Sequence, residues 1–381
     1  MRTSSRIIVA IGALAGGVAG VIALTAFNTA SAGPFESALE GMATAIRSVE
    51  HRLRERITGP GRRRHLEWFE EVRADRSRLA DPPRVLLGAY ADSLPESPDG
   101  VLRLEQALGT TFPLVQLYVA WGDKPEHAFP RRTVTTISNM GSAAVITWEP
   151  WLSVFDNARH PHLPLRQMRD RHGLASVARG DYDFYIDRWA ADAAAVRHPV
   201  FVRFAHEMND PYRYPWGPQH NSKEEFIAAW RHVVQRFRAV GAHNVIWVWS
   251  PHVAYEYWDL YYPGDDYVDW AATGVLNYGP IAQWSRWWTF DDIFGGDKYA
   301  RLVAFGKPVM IAEFGSLAVG GDRAVWYREA LERLPERYPA VKALLFFEVG
   351  NDQTVTLQTI DWTIAEDPDV APAVRGAIPR W

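Results

Sequence analysis

The chain has 381 residues, 48% of them hydrophobic and 13% aromatic, and it contains no cysteine. That composition excludes a disordered chain, a small disulfide-stapled scaffold and a zinc-thiolate site. Lys and Arg number 41 against 45 Asp and Glu, a formal charge of −4, so the basic footprint of a nucleic-acid binder is missing and no nucleic-acid partner is expected. The 17 Trp, 15 Tyr and 17 Phe offer flat faces on which the C–H faces of sugar rings pack, besides filling a core.

At the N-terminus Arg2 and Arg6 precede an uncharged stretch from Ile7 to Phe27, and Ala30-Ser31-Ala32 has the small-x-small form that signal peptidase accepts. Residues 1–32 are expected to direct export, with cleavage after Ala32. The apolar stretch is close to the roughly 20 residues that span a bilayer, so membrane attachment through residues 7–27 is the alternative, and either outcome places the protein outside the cytoplasm. Residues 33–81 turn charged and helical, with Leu39, Met42, Ile46, Val49 and Leu53 at three- and four-residue spacings before a Gly59-Pro60-Gly61 break. Seven arginines between Arg47 and Arg64 read as the solvated face of a helical linker region, to which no chemistry is assigned.

After Asp81-Pro82-Pro83 short apolar runs alternate with amphipathic stretches, the pattern of βα units with a parallel sheet. Strands are expected at Val85–Tyr90, Leu114–Ala120, Ala143–Trp148, Val200–Ala205, Val245–Trp249, Trp270–Leu276, Pro308–Ala312 and Ala343–Phe347, with helices such as Tyr182–Val196 and Lys223–Val240 between them. Eight strands over residues 82–381 predict an α/β fold of the (β/α)₈ TIM-barrel type. A doubly wound open sheet is the alternative, but no Gly-rich phosphate loop follows an early strand.

Barrel chemistry gathers at the C-terminal ends of the strands. There the fourth strand runs into His206-Glu207-Met208-Asn209 and the seventh into Glu313-Phe314-Gly315-Ser316, while Glu149 and Glu348 follow the third and end the eighth. Two carboxylates facing each other across a barrel mouth suit glycoside hydrolysis, one protonating the leaving oxygen while the other attacks or activates water; their separation decides retention or inversion. His160, His162, Asp265 and Asp266 lack a ligand set at recognisable spacing, so neither a catalytic metal nor any other cofactor is expected.

The run Arg203-Phe204-Ala205-His206-Glu207-Met208-Asn209, followed by Tyr214-Pro215-Trp216, resembles the signature of glycoside hydrolase family 26, the β-mannanase and β-glucanase family. Ile146–Trp151, Val245–Pro251, the Tyr262–Asp265 turn and Ile311–Ser316 extend the likeness over nearly all of the chain after Pro82. The resemblance implies a retaining endo-β-glycosidase acting on a β-linked polysaccharide, with Glu207 as acid/base and Glu313 as nucleophile. It also implies that Tyr278 hydrogen bonds Glu313, that Arg203 helps hold the nucleophile's charge, and that His206 contacts the sugar or orients the nucleophile. Glu149 supports the site, and Trp148 and Trp216, each beside a candidate active-site Glu in sequence, are the expected sugar platforms.

Departures from the family pattern make β-mannan one substrate among several. Asp210 replaces the usual glycine after Asn209, Asn277 precedes Tyr278 where mannanases often carry an acidic residue, and Phe346-Phe347 ends the eighth strand without a Trp. Mixed-linkage or β-1,4-glucan is equally admissible, and an exported chain is placed to trim the cell's own exopolysaccharide. The competing class is a catalytically silent barrel that binds polysaccharide within an envelope or exopolysaccharide assembly; retention of both Glu207 and Glu313 favours the enzyme.

Overall fold

The computed structural model describes residues 61–378 except 197 and 355–357. The export segment, its cleavage site and the arginine-rich stretch before residue 61 lie outside the described residues. No described helix is long and apolar enough to cross a membrane.

Eight parallel strands close into a barrel in sequence order: β1 Leu86–Ala91, β2 Leu114–Ala120, β3 Ala143–Glu149, β4 Val200–Phe204, β5 Val245–Trp249, β6 Trp270–Asn277, β7 Val309–Ser316 and β8 Val341–Glu348. Closure comes from β1, which pairs with β2 on one edge and with β8 on the other, so no edge is left to aggregate. The expected strands are all present. β7 runs four residues further than its apolar run suggested, carrying Glu313 inside the strand, where it pairs with Gly274 of β6 beyond a register shift at Thr273/Gly274.

The helix Lys223–Val240 shows why such segments were readable. Ser222 and Glu225 form a capping box, Gly241 ends the helix in the left-handed conformation (φ 86°), and Phe226, Ala229, Trp230, Val233, Val234 and Phe237 form its buried stripe. The three- and four-residue spacing puts these side chains on one face, which packs on the barrel wall.

Among the described residues, the packing of the barrel takes in side chains that precede Pro82. Leu66, Phe69, Val72 and Leu79, from the helices Glu67–Ala74 and Arg76–Ala80 and the turn before them, pack with Leu86, Leu114, Val145, Phe201, Ile246, Trp270 and Met310 to close the barrel floor. Arg62 is not a solvated linker arginine but is buried, donating to both oxygens of Glu105 (3.0 and 2.7 Å), to the Phe112 carbonyl (2.9 Å) and to Ser142 Oγ (2.8 Å). The apolar ends of eight strands need a cover at the end away from the loops, and these residues supply it. Phe69 is fully buried, so Phe69→Ala should lower the unfolding free energy by about 3–5 kcal/mol, the cost of an uncollapsed aromatic cavity. Chemical denaturation measures this, and a loss near zero would mean that the helix is not part of the floor.

Candidate active site

Strand register builds the base of the site. Tyr118 of β2 pairs with Thr147 of β3, which pairs with Arg203 of β4, so three polar side chains share one rung inside the barrel. Arg203 is fully buried. Its Nε donates to Thr147 Oγ1 (3.0 Å), and its Nη2 donates to Glu313 Oε1 (2.5 Å) and to the Tyr118 hydroxyl (3.1 Å). That hydroxyl also accepts from Gln116 (3.1 Å) and donates to Glu313 Oε1 (2.7 Å). Burial alone would raise the Glu313 pKa, but the charge and hydrogen bond of Arg203 and the hydrogen bond from Tyr118 win and hold it at about 2. Glu313 is therefore ionised at neutral pH, with Oε1 committed.

Glu207 stands on the segment after β4, where the chain passes through positive φ at Ala205 (43°) and at Glu207 itself (52°). A non-glycine residue in that region carries strain of about 1–3 kcal/mol, which the surroundings must offset. The Glu207 amide donates to the Ser250 carbonyl at the end of β5 (2.7 Å). Below it, the Asn209 side chain accepts from the His252 amide (2.7 Å) and donates to the His252 carbonyl (2.9 Å). These bonds tie the two loops together and turn the Glu207 side chain toward Glu313. A Cβ placed on Gly274 would lie 3.7 Å from Glu313 Oε2 and 3.8 Å from Glu207 Oε1, so the two carboxylates converge on one space above a glycine.

The second carboxylate is tuned the other way. Burial pushes the Glu207 pKa up and the Glu313 charge adds to this, against the pull of His252, Arg213 and Arg203. His252 Nε2 lies 3.9 Å from Oε1 and Arg213 Nη1 lies 3.7 Å from Oε2. Among the described residues, Glu207, Asp210 and His252 also bring one ligand atom each within 4.8 Å of one another, a set able to hold a cation, although the Arg213 guanidinium beside Glu207 competes for the same charge.

Several expected roles change. Tyr118, not Tyr278, bonds Glu313: Glu313 sits opposite Gly274 within β6, whereas Tyr278 lies beyond the strand end, edge-on to Trp284 and Trp362. Trp148 is not a platform. Strand alternation puts it on the face opposite Thr147 and Glu149, fully buried, 4.4 Å between ring centroids from Trp189. Trp216 is also buried at 2% exposure; it stacks on Tyr214, and its indole donates to the His206 carbonyl (2.7 Å). His206 touches Tyr214 through Nε2 (3.0 Å), while its Nδ1 has no hydrogen-bond partner among the described residues. Burial and the nearby Arg203 keep its ring neutral.

Glu149 lines the site half-buried and accepts from the Trp151 indole (3.1 Å), so Trp151 is the aromatic that β3 presents toward the cleft. Trp284, 60% exposed, is the open face of the Trp284–Trp288 stretch. Glu348 is structural, accepting the Ile364 and Ala365 amides (2.9 and 3.1 Å) to pin the loop after β8. His160 pairs with Asp123 (2.6 Å) and stacks on Phe184. Residues that sequence reasoning missed are Tyr118 and Arg213. The inward parity of Gln116 and Tyr118 on β2 was the available signal for the first, and nothing marked the second.

Arg203→Met should destabilise the fold by about 3–5 kcal/mol at neutral pH, since it leaves a buried carboxylate without its cation. The folded Glu313 pKa lies below its ordinary value of 4.5, so the stability it contributes is present above that value and is lost as pH falls toward about 2. The gap between wild type and Arg203→Met should therefore narrow over that window in denaturation curves taken at a series of pH values. A gap independent of pH would contradict the pairing.

Residues 181–327 match Glycosyl hydrolase family 26. The chain is 31% identical over 302 residues to endoglucanase H of Acetivibrio thermocellus, covering 77% of this chain and 30% of that protein. It is 31% identical over 164 residues to mannan endo-1,4-beta-mannosidase A and B of Caldalkalibacillus mannanilyticus, covering 40% of this chain and 28% of that protein. It thus spans less than a third of the length of either relative. Among solved structures, the Bacillus subtilis mannanase man26 shares the fold with a TM-score of 0.55 at 16% identity, over 79% of this chain and 88% of that one. The stretch that carries the two facing carboxylates of this closed eight-stranded barrel, residues 181–327, is thus similar to glycosyl hydrolase family 26.

Proposed function

We propose that the barrel hydrolyses a β-linked polysaccharide, a β-mannan or a β-1,4- or mixed-linkage glucan, at internal bonds and with retention of anomeric configuration. The observation that carries this reading is the convergence of Glu207 Oε1 and Glu313 Oε2 on the space above Gly274. Their opposed pKa shifts match the two roles, one carboxylate ready to hold a proton and the other ionised. The names of the relatives, an endoglucanase and a mannan endo-1,4-beta-mannosidase, support the substrate class.

In the first step Glu313 Oε2, the oxygen not engaged by Arg203 and Tyr118, attacks the anomeric carbon. The glycosidic C–O bond breaks, and the Glu207 proton passes to the leaving oxygen. In the second step Glu207 takes a proton from water, the hydroxide oxygen displaces Glu313 from the anomeric carbon, and both groups return to their starting states. Formation of the covalent bond removes the negative charge beside Glu207 and lowers its pKa, which suits it to act as base in that second step. The leader-like N-terminus supports action outside the cytoplasm, with residues 7–27 as an optional anchor.

The test uses the protein from Ile57 onward, so that the floor is kept, with reducing ends measured on β-mannan, mixed-linkage β-glucan, β-1,4-glucan and xylan. Glu313→Ala should release nothing above blank. Glu207→Ala should lose about 10²–10⁴-fold on polysaccharide and much less on an aryl glycoside whose leaving group needs no proton. Azide should then restore turnover and give the β-glycosyl azide. An α-azide product, or equal losses on both substrates, would rule out these roles.

A further inference from the structure

The acid/base flank carries a feature that hydrolysis of a neutral glycan does not need. Arg213 Nη1 lies 3.7 Å from Glu207 Oε2, its Nη2 donates to Thr354 Oγ1 on the loop after β8 (2.8 Å), and its guanidinium lies over the Tyr214 ring, 5.0 Å from the centroid. Thr354 is itself held, its hydroxyl and its amide both donating to Asp352 Oδ1 (2.6 and 2.8 Å). The cation is thus fixed at the mouth with 29% of its side chain still open. His252, open to the same extent, lies on the other oxygen of Glu207. Tyr255 packs 4.7 Å from His252 between ring centroids and 5.9 Å from Tyr212, which is 77% exposed. One rim therefore offers two cationic or potentially cationic groups next to two aromatic faces.

A guanidinium beside a general acid works against it, because a positive neighbour favours the ionised carboxylate. A neutral sugar seated on this rim would leave that opposition in place and would strip water from Arg213 while supplying acceptors but no countercharge, a costly way to bury a cation. A carboxylate on the incoming sugar answers both difficulties. It pairs with the fork of Arg213 through charge-assisted hydrogen bonds, and its charge offsets the pull on Glu207. Asp210, Glu313 and Asp352 are the nearby carboxylates that oppose an anion: Asp210 Oδ1 is occupied by the Tyr212 amide (2.7 Å), Asp352 Oδ1 by the Thr354 hydroxyl and amide (2.6 and 2.8 Å), and Glu313 Oε1 by Arg203 and Tyr118 (2.5 and 2.7 Å).

We propose that Arg213, with His252, forms a subsite for a carboxylate-bearing sugar on the leaving side of the scissile bond, so that the preferred polymer is an acidic β-linked polysaccharide. This rests on the hydrolase reading given above.

The test compares β-mannan and β-1,4-glucan oligosaccharides before and after oxidation of their C6 hydroxyls to carboxylates. For wild type, kcat/KM should rise about ten- to a hundredfold on oxidation, the value of a charge-assisted contact. Arg213→Met should abolish or reverse that preference, and Arg213→Lys should retain part of it. In parallel, the Glu313→Ala protein with and without Arg213→Met is titrated with the same oligosaccharides at two salt concentrations. Tighter, salt-sensitive binding of the oxidised forms that depends on Arg213 supports the subsite. Equal binding of both forms, or a wild-type ratio unchanged in Arg213→Met, overturns it. Should no glycoside be cleaved at all, the hydrolase reading fails on its own, and the titration still decides the subsite.

Discussion

The buried pair of Arg203 and Glu313 is the constraint on which the site depends. Neither charge is tolerable alone at that depth: the arginine is fully enclosed and the carboxylate nearly so, and an unpartnered ion there costs several kcal/mol. Once paired, they demand further polar neighbours, and the barrel provides them by register, since Thr147 and Tyr118 occupy the adjoining positions on β3 and β2. Gln116, one alternation below Tyr118, completes the set. A closed parallel sheet suits this task because its rungs are rigid and its interior excludes water, so fixed dipoles act at full strength. Glu313 is kept ionised by groups that the strands themselves hold in place.

Glu207 depends on that pair in a second way. The charge that Arg203 preserves on Glu313 is part of what pushes the Glu207 pKa up, so the two carboxylates are set by one arrangement of residues read from opposite sides. The strained backbone at Ala205 and Glu207 is what turns the second carboxylate toward the first. Asn209, conspicuous in the motif, serves as the clamp that sustains this turn through its bonds to the loop after β5.

Much of the fold was legible because barrels advertise themselves. Buried parallel strands read as apolar runs, amphipathic helices such as Lys223–Val240 carry their caps in the chain, and the polar residues that end strands mark the mouth. Glu207 and Glu313 were legible for the same reason, whereas Arg203 was legible only through the family resemblance. What sequence adjacency hid was the face on which a residue falls. Trp148 precedes Glu149 and so points away from it, whereas Tyr118, far from either carboxylate in the chain, points at both Arg203 and Glu313. Residues 62–79 were read as linker because charged, arginine-rich helices resemble solvated ones; only the apolar strand ends beneath them show why Leu66, Phe69 and Val72 are needed. Arg213 carried no signal at all, since its meaning comes from a loop that meets it from β8.

Gly274 closes the matter of shape. Most inward positions of the barrel are filled, yet between the two carboxylates β6 presents bare backbone, and the register shift with β7 occurs just there. A methyl group at that point would meet no backbone and would stand at ordinary contact distance from both carboxyl oxygens, so the fold itself would accept alanine. The vacancy therefore serves whatever enters the cleft, and it gives the site a gauge: the depth to which a ligand can sink between Glu313 and Glu207 is set by one absent carbon atom.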